Sequence, residues 1–556
     1  MFTDQPTTNK MSTEKQCPIE GIKIKSDGLR GTLKESIELD NHTGNVRADD
    51  EALVKFHGMY VQDDRDRREE CAEKKLDKLY SFMIRLRIPG GIIDADKWLA
   101  IHETSEQYGT GVLKITTRQT IQLHRILKHQ LRPTLQSFDQ ATLDSIVACG
   151  DVNRNVIASS HPLLSPIHAY ADKLSKHLLP KTRAYYEIFV DNKKIYERET
   201  EKDNLYEDRY LPLKFKIAIA IPPTNDIDVF ANDLGLIAII ENNELKGFNI
   251  AVGVGLSTTH GNPNTYSRLP TEIGFVDSEE KVLKVAYEVL TIQCDFRNRG
   301  DRKLARLKYT VDKLTVDGFK SELEKRVSFK LEPSQPYQFT ERSDIYDWRQ
   351  VNNRTWYYTL FVENGVIQPN QKAFLHELAL LNINNFIFTA NQNLLLGEIS
   401  TENKAKVEQL LEKYSIHKDI SELRKNSMAC VALPTCPLVL AEAQRYLPEL
   451  VTKIEPLLEK HQLQNDDISI RMTGCPNGCG RSYVSEIGFV GTSAGHYNLM
   501  LGGERYGVCL NKIYKEKVNE TEILNELDQV FESYTKEKID NETFGDFTYR
   551  KYFSFN

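Results

Sequence analysis

Residues 82–93, with the sequence FMIRLRIPGGII, decide the fold because a similar stretch recurs later in the chain. They form a β-rich run that ends in glycine and two aliphatic residues, and a second β-run, ITTRQTIQL, follows at residues 115–123. Residues 358–367 (YTLFVENGVI) and 388–396 (FTANQNLLL) repeat this order, and both second runs contain Thr-x-x-Gln. A helical stretch lies between the two β-runs of each segment. The sequence therefore predicts a strand–helix–strand unit that occurs twice in the chain.

A second pair of segments also matches. Residues 214–220 (KFKIAIA) lead to 247–255 (GFNIAVGVG), and residues 468–472 (ISIRM) lead to 497–503 (YNLMLGG). Both begin with an alternating strand and end in aromatic-Asn-aliphatic-x-aliphatic-Gly. If the first pair of similar segments is called A and A′ and the second pair B and B′, their order along the chain is A–B–A′–B′. This order predicts an internally duplicated α+β protein, and chance matching of short β-runs is the alternative.

Length and charge bound the remaining possibilities. At about 150 residues per domain, 556 residues correspond to three or four domains. The chain contains no run of about 18 apolar residues that would span a membrane, and its first residues lack the apolar core of a signal peptide. We therefore expect a cytoplasmic protein that binds no membrane. A net charge of −7 gives no indication of nucleic-acid binding.

The nine cysteines are an odd number, thinly spread, which argues against a disulfide scaffold. Four of them form two pairs, Cys430 with Cys436 and Cys475 with Cys479. Thiolates bind iron–sulfur clusters or zinc. The five-residue gap and the Gly-rich second loop favour a [4Fe–4S] cluster, while zinc and unligated thiols remain alternatives. The others lack paired spacing and are predicted to be ordinary thiols: Cys17, Cys71, Cys149, Cys294 and Cys509.

The stretch RMTGCPNGCGR at residues 471–481, with Cys430 and Cys436 upstream, resembles the signature of the sulfite and nitrite reductase family that uses sirohaem and a [4Fe–4S] cluster. Further matches occur at residues 57–60, 62–66, 85–91, 117–120, 150–155, 214–216 and 545–547. The resemblance thus covers nearly the whole chain. It is strongest to haemoprotein (β) subunits of the assimilatory, NADPH-dependent branch.

The resemblance implies a fold of two ferredoxin-like half-domains and two sirohaem/[4Fe–4S]-binding α+β domains, which agrees with the duplication. The expected divisions are an N-terminal arm (1–65), the first half-domain (66–140), the first sirohaem-binding domain (141–340), the second half-domain (341–420) and the cluster and sirohaem domain (421–556). The polar, charged composition of the arm predicts that it contributes little to a core.

The resemblance also implies one sirohaem and one [4Fe–4S] cluster per subunit. In the family, the four matching cysteines ligate the cluster, and the last of them bridges to the sirohaem iron. For this chain, the resemblance implies that the cluster alone is held by Cys430, Cys436 and Cys475, and that Cys479 couples the two cofactors.

The implied reaction is the six-electron reduction of sulfite to sulfide, in sulfate assimilation and cysteine biosynthesis. Sulfite is a small anion that needs fixed positive charge when it leaves water. The residues that match the family's substrate-binding set are Arg85, Arg154, Lys214 and Lys216. Lys214 and Lys216 lie two apart just before the apolar run 217–221, so they are predicted to project from one face at the mouth of a strand.

Sirohaem carries eight carboxylates, which require a second basic set. We predict contacts from Arg118, Gln122 and His124, which fall at alternate positions along one β-run, and from Arg302 and Arg306 in a basic cluster with Lys303 and Lys308. For the cluster, a solvated helix face is the alternative. His124 could equally be a structural histidine.

The electron donor must be another protein, because the chain shows no Gly-rich dinucleotide fingerprint after a strand. A flavoprotein (α) subunit is the expected partner, and ferredoxin is the alternative. The nearest alternative function is a ferredoxin-dependent sulfite or nitrite reductase of the same fold. A third is a protein that holds zinc through the four cysteines and catalyses nothing.

Overall fold

A computed structural model describes residues 17–40, 42–160, 166–180, 187–190, 193–197, 203–207, 210–416 and 419–554. Two different kinds of sheet alternate along the chain, each occurring twice. None of the helices within these residues is long and apolar enough to cross a membrane.

The first ferredoxin-like unit contains a four-stranded antiparallel sheet. Its elements, with the helices that precede it, are α1 (Pro18–Lys25), α2 (Leu33–Glu38), α3 (Asp50–Leu53), β1 (Met59–Asp63), α4 (Arg68–Glu73), β2 (Tyr80–Arg85), β3 (Ile92–Ile93), α5 (Ala95–Tyr108), β4 (Leu113–Ile115), β5 (Ile121–Ile126) and α6 (Leu131–Gln140). The strand order is β1-β2-β5-β4. Helix α5 begins where the Asp94 side chain accepts a hydrogen bond from the Lys97 amide at 2.8 Å, and it buries Trp98 against the core.

Part of the expected N-terminal arm belongs to this unit. Strand β1 lies within residues 1–65, yet it pairs with β2 along its whole length, and Leu53, Phe56 and Met59 are buried in the main core. The first sheet therefore begins before residue 66. The apolar residues here are too few and too irregularly spaced among charges to predict a strand.

The first five-stranded sheet follows, with parallel strands on one side and antiparallel strands on the other. Its segment contains β6 (Ile157–Ala158), α7 (Pro166–His177), β7 (Glu187–Val190), β8 (Lys193–Glu197), β9 (Ile217–Ala220), β10 (Leu234–Glu241), β11 (Glu244–Val252), β12 (Thr271–Val276), α8 (Glu279–Phe296), α9 (Leu307–Leu314) and α10 (Val316–Val327). The order is β6-β9-β10-β11-β12, parallel from β6 to β10 and antiparallel from β10 to β12. Strands β7 and β8 form a separate hairpin.

The second half of the chain repeats both units. The elements are β13 (Asp347–Asn352), β14 (Thr355–Leu360), α11 (Pro369–Leu381), β15 (Asn385–Phe388), β16 (Leu394–Ser400), α12 (Thr401–Lys413), α13 (Glu422–Lys425), β17 (Ser427–Ala429), α14 (Leu447–Lys460), β18 (Ile470–Thr473), β19 (Ile487–Ser493), β20 (His496–Leu501), β21 (Lys512–Val518), α15 (Glu520–Glu537) and α16 (Phe544–Phe553). The last sheet runs β17-β18-β19-β20-β21 with the same sequence of parallel and antiparallel pairs as the first five-stranded sheet. The predicted duplication is confirmed.

The two ferredoxin-like units exchange their edge segments. Strand β3 of the first unit pairs with β15 of the second, with Ile93 opposite Phe386, so that sheet runs β13-β14-β16-β15-β3. In return, Val366 bridges to Lys114 in β4, and the Ile367 amide donates to the Leu113 carbonyl at 3.2 Å. The glycine and two aliphatic residues of each repeat therefore form the segment that crosses to the other sheet.

Glycine is required where the first crossing begins. Gly91 has a φ of +77°, and a Cβ there would lie 2.5 Å from the Phe388 carbonyl oxygen. We expect Gly91→Ala to lower the free energy of unfolding by about 1–3 kcal/mol more than Gly261→Ala, because the added carbon overpacks against backbone. Gly261 is the matched control, since its φ is +71° but a Cβ added there would meet nothing within 4 Å. Chemical denaturation measures both, and equal losses would contradict the proposed clash.

Candidate active site

Three of the four predicted anion-binding residues project from two adjoining backbone segments. Asn153 and Phe215 form a parallel bridge, the Arg154 amide donates to the Phe215 carbonyl at 2.8 Å, and Phe215 is fully buried. Because alternate side chains point to opposite faces, Arg154, Lys214 and Lys216 lie on the face opposite Phe215. The lysines directly precede β9, as the sequence predicts.

Arg85, the fourth, reaches the same region from the end of β2. Its Nη1 lies 3.2 Å from the Cys149 sulfur, and its guanidinium carbon lies 6.0 Å from the centre of the Tyr60 ring. The Tyr60 side chain also hydrogen-bonds Arg154, whose Nε donates to the Ala148 carbonyl at 2.9 Å. Tyr60 therefore connects the two arginines. The region around Arg85, Arg154, Lys214 and Lys216 is called the basic cleft below.

The basic cleft brings several cations close together, with Asp233 among the nearby carboxylates. Burial lowers the pKa of Lys214, although the nearby Cys479 thiol acts in the opposite direction. Burial and then the charge of Arg118 hold the pKa of Lys216 well below its ordinary value. A bound anion would relieve this repulsion and favour the protonated lysines. The region is thus arranged to attract a small anion and to hold protons beside it.

The predicted sirohaem-contact residues on the first unit lie near this cleft. Arg118 sits in the turn before β5, and its guanidinium donates to Asn232 Oδ1 at 2.6 Å and to the Ile217 carbonyl at 3.2 Å. Within the described residues its Nε is buried without a hydrogen-bond partner. Gln122 and His124 project from one face of β5, and both are buried.

Gln122 and His124 belong to one hydrogen-bonded chain. With its amide oxygen turned toward Arg85, Gln122 accepts from Arg85 Nε at 2.9 Å, and its nitrogen donates to His124 Nε2 at 3.3 Å. His124 Nδ1 lies 3.1 Å from Gln62 Oε1. Burial and the nearby charge of Lys114 hold the pKa of His124 well below its ordinary value, so the ring is neutral. These contacts give both residues a positioning role toward Arg85.

The two arginines of the second basic group are paired with carboxylates of this chain. Arg302 donates twice to Asp151, at 2.7 and 2.9 Å, and Arg306 donates to both oxygens of the buried Asp233 at 2.9 Å. Asp233 also accepts from the Lys216 amide at 3.0 Å. Arg306 and Asp233 therefore fix the backbone that carries Lys216, and direct contact of Arg302 or Arg306 with sirohaem stays a prediction.

The four paired cysteines gather at the start of the last five-stranded sheet. Cys430 follows β17 and Cys475 follows β18, which is the neighbouring parallel strand. The Gly474 amide donates to the Cys430 sulfur at 3.3 Å, and the Leu438 amide bonds the Cys436 sulfur. Burial, together with the neighbouring thiols, raises the pKa of Cys430, of Cys475 and of Cys436, the last to about 11.

This donor set fits a [4Fe–4S] cluster. Each of Cys430, Cys436 and Cys475 is close enough to Cys479 for their thiols to perturb one another electrostatically. Each of these three sulfurs also accepts a backbone N–H bond of the kind that tunes clusters. Among the described residues, no group of three or more His, Cys, Asp and Glu side chains is arranged to hold a single metal ion.

Cys479 stands where the cysteine loop meets the basic cleft. It is exposed, unlike Cys475, and its carbonyl accepts from the Thr117 hydroxyl at 3.3 Å, one residue from Arg118. Its thiol also interacts electrostatically with Lys214. The exposed thiol and the unpartnered Arg118 Nε fit a cofactor that has a metal to bind sulfur and carboxylates to bind arginine, as sirohaem has.

A buried ion cluster, missed by the sequence analysis, anchors the cysteine loop. Asp228 contacts Arg342 Nε at 2.8 Å, Arg471 Nη1 at 2.5 Å and Arg481 Nη1 at 2.8 Å. Burial alone would raise the pKa of Asp228, but the three guanidinium groups lower it below its usual range. Arg471 and Arg481 flank the loop 473–480, so one carboxylate holds both ends of it.

We expect Asp228→Asn to lower the free energy of unfolding by about 3–5 kcal/mol, because it leaves three buried arginines without their counter-ion. Thermal unfolding followed by circular dichroism measures the effect. Glu532→Gln is the control, since Glu532 pairs with Lys536 on an exposed helix face, and it should leave the midpoint unchanged. A wild-type midpoint for Asp228→Asn would show that the cluster does not anchor the loop.

Other residues that complete the site were not predicted, although Tyr60 and Asn155 lie inside the matched stretches 57–60 and 150–155. Tyr60, Asn155 and Asp233 act through partners that are distant along the chain; for example, the Asn155 amide nitrogen donates to the carbonyls of Ile88 and Arg118 at 2.8 and 2.9 Å. Arg471 and Arg481 stand inside the recognised cysteine motif, and that position beside the ligands is the signal that could have identified them.

Two family models match both ferredoxin-like units and most of the first five-stranded unit. Residues 169–331 match the family described as "Nitrite and sulphite reductase 4Fe-4S domain", and residues 74–141 and 349–414 match the "Nitrite/Sulfite reductase ferredoxin-like half domain". The chain belongs to the nitrite and sulfite reductase family. The four paired cysteines lie outside the first match, in the second copy of the five-stranded unit.

Individual relatives match over nearly their full length. The chain is 55% identical over 549 residues to a protein of Leptospira biflexa named sulfite reductase [NADPH] hemoprotein beta-component, covering 97% of this chain and 99% of the relative. It is 48% identical to the protein of the same name from Anoxybacillus flavithermus, covering 96% and 95%. The solved structure of the Mycobacterium tuberculosis NirA protein has the same fold, with a TM-score of 0.78, 22% identity and 97% coverage of both chains.

Proposed function

We propose that this chain is the haemoprotein component of an assimilatory, NADPH-dependent sulfite reductase. One observation carries the proposal: the exposed Cys479, at the end of the cysteine loop, adjoins the basic cleft through Thr117 and Lys214. A site for electron storage and a site for anion capture are thereby joined at one residue. The names of the near-full-length relatives support sulfite as the anion.

The proposed cofactors are one sirohaem and one [4Fe–4S] cluster per chain. Cys430, Cys436 and Cys475 would hold the cluster, and Cys479 would bind both the cluster and the sirohaem iron. Once bound, the two cofactors supply electrons singly to the sulfur atom of the substrate. Arg118 would bind sirohaem carboxylates through its free Nε, with Gln122 and His124 supporting the pocket, and the predicted contacts of Arg302 and Arg306 belong to the same proposal.

The cleft residues capture and orient the anion. Arg85 and Arg154 offer planar guanidinium groups that match an oxyanion, and their contacts with Tyr60 and Cys149 limit their movement. Bisulfite, six electrons and six protons give hydrosulfide and three waters. The Nζ atoms of Lys214 and Lys216 are suited to pass those protons, because burial lowers both pKa values toward the range in which a lysine readily releases one.

The electrons would come from a flavoprotein (α) subunit that oxidises NADPH, with ferredoxin as the other candidate donor. We further propose that the protein works in the cytoplasm, in sulfate assimilation and cysteine biosynthesis. The domain divisions at residues 66, 141, 341 and 421 are part of this proposal, with the amendment that β1 joins the first half-domain.

The test is an absorption spectrum of protein purified from cells that make sirohaem, followed by turnover with a reduced viologen dye on sulfite and on nitrite. Isobacteriochlorin bands with higher kcat/KM for sulfite are the expected result. The same bands with a clear preference for nitrite would overturn the substrate while keeping the site. A colourless protein that contains zinc and no iron would overturn the whole proposal.

A further inference from the structure

Exposed leucines stand directly beside the cysteine pair at 430–436. Leu438 is 66% exposed, Leu440 is 39% exposed, and Val439 between them is buried. Such alternation in a segment that lies in no helix or strand turns two large apolar side chains outward. Leu79, which is 40% exposed, follows on a neighbouring segment. Leu79, Leu438 and Leu440 are called the leucine surface below.

Hydrogen bonds tie these segments into one surface. The Asp64 amide donates to the Leu79 carbonyl at 3.3 Å, and the next amide, that of Arg65, donates to the Pro434 carbonyl at 3.3 Å. The Arg65 guanidinium donates to the carbonyls of Cys436 and Val439, both at 3.0 Å. Asp64 and Arg65 therefore join Leu79 to the segment that carries Leu438 and Leu440.

The leucine surface lies next to both cysteine pairs. Leu438 lies two residues after Cys436, and its amide bonds the Cys436 sulfur. The amide of Leu440 donates at 2.8 Å to the carbonyl of Gly474, the residue before Cys475. Electrons that enter here would reach the Cys436 sulfur over a short path, which favours transfer because electron tunnelling weakens steeply with distance.

Two arginines near the leucine surface are paired with carboxylates of this chain. Arg125 contacts Asp64 at 3.0 Å, and Arg445 contacts Asp66 at 2.6 Å. An apolar centre with a polar rim is the usual anatomy of a protein interface. Because Arg125 and Arg445 are already paired with carboxylates of this chain, they offer little free positive charge to a strongly acidic carrier, and the exposed leucines favour a partner that docks by apolar contact.

We propose that the leucine surface docks the flavin-bearing domain of the electron-donating protein. The inference rests on the proposed function and adds to it the place where electrons enter. In the complex, one electron at a time leaves the reduced flavin, which is oxidised, and enters the cluster held by the cysteines, which is reduced. No bond forms or breaks, and NADPH is the source of the electrons.

The test compares two ways of supplying electrons to the cofactor-loaded, full-length chain. One is a reduced viologen dye, which needs no docking site, and the other is NADPH with the flavoprotein component of an NADPH-dependent sulfite reductase. In Leu438→Glu and in Leu79→Glu, we expect the flavoprotein concentration for half-maximal sulfite turnover to rise at least about tenfold. Dye-driven turnover of Leu79→Glu should stay at the wild-type level. Because Leu79 lies away from the cysteines, the Leu79→Glu variant still tests the docking proposal if Leu438→Glu binds its cluster poorly.

Leu380→Glu is the matched control, because Leu380 is 61% exposed on α11 of the second ferredoxin-like unit; it should change neither activity. Raising the salt concentration should weaken flavoprotein-driven turnover only slightly. Unchanged flavoprotein dependence in Leu79→Glu would overturn the docking proposal while leaving the proposed function intact. Wild-type turnover that ferredoxin supports and the flavoprotein does not would overturn the flavin-bearing partner. Failure of dye-driven sulfite turnover in the wild type would instead refute the function itself.

Discussion

Cys479→Ser should reduce dye-driven sulfite turnover by more than about 100-fold, the upper end of the cost of losing a residue that merely supports a metal ligand. Cys479 is the one member of the paired cysteines that is exposed beside the cleft, next to Thr117 and Lys214. Serine oxygen is a hard ligand and a poor bridge between two iron centres that favour sulfur. The variant should therefore lose the coupling of the cofactors together with activity.

Cys509→Ser provides the matched control for this variant, since Cys509 is also an exposed cysteine but lacks a paired neighbour in the sequence. Turnover should be measured together with the absorption spectrum and with iron and acid-labile sulfide analysis, so that cofactor loss is separated from uncoupling. Full activity in Cys479→Ser with both cofactors bound would remove this residue from the proposed bridge.

Arg154→Ala and Lys214→Ala should each lower kcat/KM for sulfite by about 10- to 100-fold, which corresponds to one charge-assisted hydrogen bond to the substrate. Neither residue is a proposed cofactor ligand, so the absorption spectrum and the iron content should stay unchanged. Arg154 is held by Tyr60 and Ala148, and Lys214 projects from the same face of the adjoining segment. Removing either leaves the anion with fewer partners in a desolvated cleft.

Lys303→Ala is the control for charge alone, because Lys303 is an exposed lysine in the basic group near Arg302 and should leave kcat/KM unchanged. Steady-state kinetics at varied sulfite, with dye as the donor, gives the comparison. Arg154→Ala or Lys214→Ala with wild-type kcat/KM would exclude that residue from substrate binding. A parallel loss in Lys303→Ala would indicate a general electrostatic effect.

The repeated units could be predicted from the sequence because each copy carries its own pattern. Alternation in residues 214–220 and the Gly-containing ends of the runs at 82–93 and 358–367 are local features, and the strands formed where these features predict them. The exchange of β3 could not be predicted in this way. Two residues, Ile92 and Ile93, have no period, and the choice of Phe386 and Ile387 as partners depends on long-range packing.

For the site, the residues proposed to bear the chemistry could be identified through motifs, whereas most of the residues that position them could not. The fold brings Arg85, Arg154, Lys214 and Lys216 to one region, and their role in substrate binding stays a prediction. Asp228, however, pairs with arginines more than a hundred positions away, and Asp233 is the partner of Arg306. A lone aspartate in a sequence gives no indication of such a partner, because only the fold brings them together.

The exchanged edge segments make the two ferredoxin-like units inseparable in practice. Cutting the chain between them would leave β15 without β3 and β4 without the Val366 segment, so each fragment would present unpaired backbone groups along a sheet edge, a template for aggregation. Gene fragments that encode one repeat should therefore yield insoluble protein. The duplication is visible in the chain, yet the halves are no longer modules that could be transplanted or shuffled independently.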